Sequence, residues 1–282
     1  MIKCKELDKE FENKEELFKA LKENVNKIID VKKKTIYTGY NKENPDNSKQ
    51  IVSNSQVKLK ALNKCANKNL FQDKQYYYFA VNTTKILDSH NDLHVNGIWN
   101  KTSKEQNKKN YLVDTHSLTI KDTIAYPEDV EIFVTEIPFK ALGYNYKGDT
   151  EALIYKVNKD NVVGEEIKEA LEKGKTMQAS VKMQYVKMSL AMNSEAEDDA
   201  EEFETYKKYK NDIANIKDFK DEPLYFFVQK EAKNIHESSL VPFGSNHVTG
   251  VIEDTQAEKS LDEIEVEPII ITQQKRIMTN LI

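Results

Sequence analysis

The sequence predicts an α+β fold in which strands outnumber helices. Short runs rich in aromatic and β-branched residues recur between about residue 76 and residue 241, which favours strands. Several of these runs alternate apolar with polar residues, as half-buried strands do. Only a few segments carry apolar residues at the three- and four-residue steps of a helix. A β-rich domain with a few helices belongs to the α+β class.

The N-terminal part, residues 1–70, is predicted to be a helical extension followed by a linker. From about Lys5 to Lys33 one apolar stripe recurs at helical spacing, and Glu and Lys cover the other face. Residues 39–54 are polar and contain Pro45, which indicates a linker or loop. A short helix is expected after it, through Leu59, Leu62 and Ala66.

The main domain is predicted to span residues 71–254. A helix is expected from Gly164 to Lys173, and Gly174 is expected to end it as a C-cap. The predicted strands are Tyr76–Val81, Tyr111–Val113, Val130–Ile137, Leu153–Val157, Met177–Val186, Leu224–Val228 and Ser239–Val241.

A charged segment at residues 194–220 interrupts the predicted strands. Its acidic residues come first and its lysines later, which suits a helix macrodipole. Ser194 followed by Glu197 fits a capping box, so the segment is predicted to be a solvated amphipathic helix inserted in the domain. Residues 255–282 form a polar, acidic C-terminal tail.

Composition and charge restrict the classes of partner. The chain has 282 residues and a formal net charge of −5, and no basic stripe with interleaved aromatics is visible, so we expect no nucleic-acid partner. No apolar run approaches the length of a membrane span, and the N-terminus lacks an apolar signal core, so a cytoplasmic protein is expected. Cys4 and Cys65 are expected to be free thiols.

Two residues are candidates for nucleophilic chemistry. A serine hydrolase needs a hydroxyl, a base that accepts its proton, and a group that orients the base. Ser180 lies in a strand-like run and His116 lies at a predicted strand end, where a base is well placed. A serine in a strand or a histidine at a strand end more often has a structural role than a catalytic one. Sequence spacing does not test whether Ser180 and His116 meet.

A metal site is a weaker alternative. Asp88, His90, Asp92 and His94 offer oxygen and nitrogen ligands within one segment. Crowding by Asn, Asp and Gly favours a loop, and no HExxH motif is present. A zinc hydrolase would combine His90 and His94 with His116, whereas the simpler interpretation is a turn-rich loop with exposed histidines.

Four motifs in this order resemble the tailed-phage prohead proteases, which share a fold with the herpesvirus assembly protease. A strand precedes an acidic motif, a second strand ends in VDTHSL, and a helix and glycine precede the stretch around Ser180. The fourth and most specific motif is HESSLVPFGSN. The resemblance spans about residues 76–250 and rests on Asp88, Asp92, Gly97, Trp99, His116, Ser180, Glu237, Ser239, Leu240, Val241, Pro242 and Asn246.

The sequence departs from the family pattern at three points. The glycines that flank the family's nucleophile are Gln178 and Lys182 here, and Ser117 rather than Asp follows His116. The charged helical insertion is also longer than is usual in the family.

The resemblance implies a mostly antiparallel β-barrel surrounded by helices and a serine endopeptidase activity. Ser180 would be the nucleophile and His116 its base, with Glu237 as the first choice of third member and His236 as the alternative. No cofactor or metal is implied. A catalytically inactive structural or scaffold-like head protein with the same fold is the alternative function.

The resemblance also implies partners and a location. The substrates would be the major capsid protein and the scaffold protein, cleaved in the host cytoplasm inside the assembling prohead. Self-cleavage and oligomer formation are both compatible with the family. The N-terminal helix and the tail are candidates for segments that bind scaffold or capsid protein, although the helix could equally pack against the barrel.

Overall fold

The structure, a computed structural model, describes residues 1–38, 71 and 73–252, and it has the predicted α+β class. The predicted linker, the short helix near Leu59, Cys65 and the tail at 255–282 lie outside the described residues. The α-helices of the described residues are α1 (Lys14–Lys34), α2 (Asn100–Glu105), α3 (Glu165–Glu172) and α4 (Ala200–Lys210). The strands are β1 (Ile2–Cys4), β2 (Lys9–Phe11), β3 (Tyr76–Thr83), β4 (Asp92–His94), β5 (Tyr111–Asp114), β6 (Thr123–Ala125), β7 (Val130–Pro138), β8 (Asp149–Asn158), β9 (Gln178–Met192), β10 (Tyr225–Val241) and β11 (Gly250–Ile252).

Strand β10 organises the larger sheet. It pairs with β9 in antiparallel fashion along one edge. On its other edge it pairs in parallel with β4 near its start and with β5 near its end, and β6 continues the sheet beyond β5. The second sheet has the order β11-β3-β8-β7, and all its pairs are antiparallel. The predicted strands at 224–228 and 239–241 are therefore the two ends of a single strand.

The main core lies between these two sheets. Apolar side chains of β3 and β8 meet those of β9 and β10, and Trp99 is fully buried among them. Strand alternation explains the pattern on β9, where Ala179, Val181 and Met183 face the core while Ser180 faces the other side. The described strands form separate sheets, and none of these sheets closes into the predicted barrel.

The predicted N-terminal helix begins later than expected. Residues before Asn13 form a β1–β2 hairpin, with Asp8 in a left-handed turn conformation at φ 49°. Asn13 then caps α1, because its side-chain oxygen accepts a 2.9 Å hydrogen bond from the backbone N–H of Glu16. The apolar stripe of α1 packs against the ends of β9 and β10.

The charged insertion is a shorter helix than the sequence predicts. Helix α4 covers only Ala200–Lys210, and the chain then turns back through a 3₁₀ segment at Ile216–Asp218. The predicted capping box is wrong, because the Ser194 hydroxyl donates to the Asp199 carboxylate. The expected apolar face is largely present, since Tyr206 and Ile213 are buried in a cluster that Tyr209 and Ile216 flank. Gly174 follows α3 in a left-handed conformation at φ 59°, as its predicted role at the helix end requires.

A buried ion pair joins α1 to the sheet. The Lys32 ammonium lies 2.8 Å from an oxygen of Asp92, whose side chain is fully buried, and 3.8 Å from Glu6. Gln229 of β10 donates to the same Asp92 oxygen at 2.8 Å. Burial lowers the pKa of Lys32, but the Asp92 and Glu6 carboxylates outweigh burial and raise it above its ordinary value. No helix in the described part of the chain is both long enough and apolar enough to cross a membrane.

Replacement of Lys32 by Met should destabilise the fold strongly. The change leaves the Asp92 carboxylate buried without its cation, which costs about 3–5 kcal/mol in typical buried pairs. Urea unfolding at pH 7 measures the loss. Lys34→Met, at an exposed position of the same helix turn, is the control and should change stability by less than about 0.5 kcal/mol. Equal stability of the two variants would contradict a structural role for the pair.

Candidate active site

A bulge in β10 shapes the candidate site. Three residues, 235–237, lie opposite the single residue Lys182 of β9, between the pairs Asn234–Met183 and Ser238–Val181. His236 has a left-handed backbone there, with φ 64°. The Asn234 amide holds the bulge closed, because it donates to the backbone oxygens of Glu237 at 2.7 Å and Lys182 at 3.0 Å. Bulges of this kind redirect side chains near functional sites.

A tight turn at the end of β5 carries His116. Both Thr115 and His116 have left-handed backbones, with φ of 45° and 61°. This conformation is strained for residues other than glycine, and most of all for a β-branched threonine. The turn is fixed to β10, since the Thr115 N–H donates to the Leu240 oxygen at 3.0 Å and the His116 N–H donates to Ser239 Oγ at 2.9 Å.

Glu237, Ser239 and His116 form one hydrogen-bonded cluster. His116 Nδ1 lies 2.9 Å from Glu237 Oε1 and 3.2 Å from Ser239 Oγ. Ser239 Oγ in turn donates to Glu237 Oε2 at 2.8 Å. Because Glu237 and Ser239 are two residues apart on a strand, they face the same side of the sheet. The cluster therefore holds the imidazole by its Nδ1 side, as a carboxylate does in a Ser-His-Asp triad.

Ser180 lies directly opposite Ser239 in the β9–β10 pair. Side chains of directly paired residues share one face, with Cβ atoms about 4.5–5.5 Å apart. Ser180 is therefore on the face that carries the imidazole cluster. His116 Nε2 is buried and has no hydrogen-bond partner among the described residues, so Ser180 Oγ is not bonded to this nitrogen. Such contacts are often long before substrate binds.

The side chains of Glu237, Ser180 and His116 differ in solvent exposure. The Glu237 side chain is inaccessible to solvent, Ser180 is 5% exposed, and the His116 side chain is 12% exposed. The residues after His116 lead into a loop in which Leu118 and Ile120 are exposed. The imidazole is thus the most exposed of these three side chains, and its Nε2 atom is itself buried.

His236 is not positioned as the third member of such a site. Its neighbour Glu237 is buried against His116, whereas His236 is exposed at the bulge. Of the two residues that the sequence left open for this position, Glu237 contacts His116.

The acidic motif around Asp88 forms a hydrogen-bonded turn that leads into β4. One Asp88 oxygen accepts the backbone N–H groups of His90 and Asp92, at 2.8 and 3.0 Å, which closes a turn. Both ring nitrogens of His94 are engaged, Nδ1 by Asn82 at 2.9 Å and Nε2 by Tyr185 at 3.0 Å. Within the described ranges no three His, Cys, Asp or Glu side chains converge as metal ligands, so His90, His94 and His116 are not brought together.

Ser239 is the member of the cluster to which the sequence assigned no role. It belongs to the motif HESSLVPFGSN, but serine is common in strands and gives no chemical signal by itself. The period of two along a strand was the available signal, because it places Ser239 on the face of Glu237. The contact with His116 could not be predicted, since it depends on a parallel pairing between distant strands.

Comparisons with known proteins return no relative. No protein-family model, no curated protein and no solved structure matches the chain.

The Asp88 carboxyl should make stability depend on pH. Burial, and then the nearby Asp92 charge, raise the pKa of Asp88 to about 6 from an ordinary 3.8. Between pH 4 and 6 the native state keeps a proton that the unfolded chain releases. Stability should therefore fall as the pH rises through this range, by on the order of 2 kcal/mol.

Unfolding by urea at several pH values measures this slope. Asp88→Asn should remove most of it, because asparagine does not titrate. Asp198→Asn, at an exposed position, is the control and should leave the slope unchanged. A slope of the same size in the Asp88→Asn protein would assign the effect to other groups.

Proposed function

We propose that the chain is a serine endopeptidase with Ser180 as nucleophile, His116 as base and Glu237 as the group that orients the base. The supporting observation is the 2.9 Å contact between His116 Nδ1 and Glu237, on the sheet face that also carries Ser180. An imidazole held at Nδ1 by a carboxylate presents Nε2 to a nucleophile. Nε2 of His116 has no partner among the described residues.

The reaction would proceed by acyl transfer. Ser180 Oγ attacks the carbonyl carbon of a peptide bond while its proton passes to His116 Nε2. The tetrahedral intermediate then collapses, the C–N bond breaks, and the leaving amine takes the proton from His116. Water attacks the resulting ester with the same base, which releases the carboxylate product and restores the Ser180 hydroxyl.

The biological setting comes from the resemblance to prohead proteases. We propose that the substrates are a capsid protein and a scaffold protein, cleaved inside an assembling shell in the host cytoplasm. The two described sheets pack around one core without closing into a barrel, so this setting rests on the sequence motifs. Self-cleavage belongs to the same proposal, and the N-terminal hairpin and α1 are candidates for the segment that binds scaffold.

An inactive head protein with the same fold is the second candidate. Two observations favour it: Ser180 is nearly buried, and its hydroxyl does not reach His116 Nε2. The two candidates differ in one measurable property, which is the reactivity of the Ser180 hydroxyl.

A fluorophosphonate probe should form an adduct at Ser180 in the intact protein, located by mass spectrometry of peptides. Ser180→Ala should abolish this adduct and should lower cleavage of co-expressed capsid and scaffold proteins by about 10⁴-fold or more. Ser189→Ala, on the same strand, is the matched control and should retain both activities. Undiminished cleavage by Ser180→Ala would refute the nucleophile, and absence of any adduct in the wild type would favour the inactive head protein.

The third member of the site can be tested separately. Glu237→Gln keeps the shape of the side chain but removes the charge that stabilises an imidazolium, so the labelling rate of Ser180 should fall by about 10²–10⁴-fold. His236→Gln should stay within about threefold of the wild type, because His236 is exposed at the bulge. A larger loss of labelling rate in His236→Gln than in Glu237→Gln would show that His236, not Glu237, orients His116.

A further inference from the structure

We infer that Ser239 is a positioning residue that locks the imidazole of His116 in the orientation and tautomer required by Ser180. This inference rests on the proposed function. It concerns a residue that does not touch the reacting atoms and that acts through His116 and Glu237.

The hydroxyl of Ser239 joins three parts of the cluster. It accepts the backbone N–H of His116 at 2.9 Å and donates to Glu237 Oε2 at 2.8 Å, and it lies 3.2 Å from His116 Nδ1. It is fully buried, so water does not replace these contacts. One side chain thereby fixes both the turn that carries the base and the carboxylate that orients it.

The proton count then determines the tautomer of His116. A serine hydroxyl has one proton, and that of Ser239 is directed to Glu237 Oε2. His116 Nδ1 consequently faces two acceptors, Glu237 Oε1 and the oxygen of Ser239. A neutral imidazole in this position carries its proton on Nδ1 and keeps the lone pair on Nε2, where a base needs it.

The bond to the His116 N–H also stabilises a strained turn. Two successive residues, Thr115 and His116, have left-handed backbones that must be held by their surroundings. The Ser239 oxygen and the Leu240 carbonyl supply the two acceptors for their N–H groups. Without Ser239, the His116 N–H loses its acceptor and the turn loses one of these two attachments.

The same contacts argue against Ser239 as the nucleophile. Its oxygen lies on the Nδ1 side of the ring, and its proton is directed to a carboxylate rather than to a free nitrogen lone pair. A nucleophile paired with this imidazole must approach Nε2, and Ser180 is the serine directly across the strand pair.

The experiment compares Ser239→Ala with Ser239→Thr, which restores the hydroxyl, and with Ser238→Ala. Ser238 is equally buried on the same strand but faces the opposite side of the sheet. In each folded protein we would measure the rate of Ser180 labelling by the fluorophosphonate, hydrogen exchange at the His116 amide, and the ¹⁵N shifts of the His116 imidazole.

Ser239→Ala should slow labelling on the order of 10–100-fold, as expected when a base is no longer held in its reactive geometry. Its His116 amide should exchange faster, and the imidazole nitrogens should move toward averaged tautomers. Ser239→Thr should recover most of the rate, and Ser238→Ala should behave as the wild type. A purely structural role would lower the melting temperature without changing the tautomer of the folded protein.

Three results would overturn the inference: wild-type labelling and wild-type imidazole shifts in Ser239→Ala, a folded Ser239→Thr protein that stays as slow as Ser239→Ala, or an adduct on Ser239 itself. If Ser180 is unreactive even in the wild type, the proposed function fails. The amide exchange and the imidazole shifts then still decide whether Ser239 positions His116.

Discussion

The bulge in β10 is the constraint on which the candidate site depends. β10 must pair with β9 along one edge and with two short parallel strands along the other. The two additional residues of the bulge allow it to do this while Glu237 faces His116. Asn234 makes the bulge stable, because its amide group satisfies the backbone oxygens that a regular ladder would have paired. Its own oxygen accepts from Tyr155 and Asn110, so the bulge is fixed to the second sheet as well.

Burial of the Glu237 carboxylate has an energetic cost that its neighbours offset. An ionised carboxylate removed from water needs a hydrogen bond at each oxygen. Glu237 has one from His116 and one from Ser239, so both oxygens are satisfied. The Asp88–Asp92 cluster is different, since one oxygen of each carboxylate has no partner among the described residues. Burial of the Asp88 carboxyl, and then the nearby Asp92 charge, raise its pKa.

The sequence predicted much of the sheet framework, but it did not predict that β10 is one continuous strand. Apolar and aromatic runs identified most strands within a few residues, because burial on a pleated surface selects such residues. The polar run from Gln229 to Ser238 gave no strand pattern for the middle of β10, which is held in the sheet by its pairing with β9. At the N-terminus, the apolar spacing of Leu7 and Phe11 matched a helix as well as a hairpin, and Asn13 decided where the helix begins.

The site residues were predicted by resemblance and their contacts were not. His116 and Glu237 meet through a parallel pair between β5 and β10, more than a hundred residues apart, and no local pattern encodes that pairing. The left-handed backbone of Thr115 could not be predicted either, because nothing in its residue type favours such a conformation.

Several local costs of this fold meet at the end of the larger sheet that carries His116. Two strained residues at 115 and 116, a bulge with a left-handed His236 and a fully buried carboxylate all lie there. A sequence selected only for stability would replace such features by apolar packing, which is often equal or better in free energy. Proteins break local rules of this kind mainly where geometry serves a reaction or a ligand. The meeting of two left-handed residues, a bulge and a buried carboxylate at one imidazole is therefore the structural basis on which the proposed role of His116 rests.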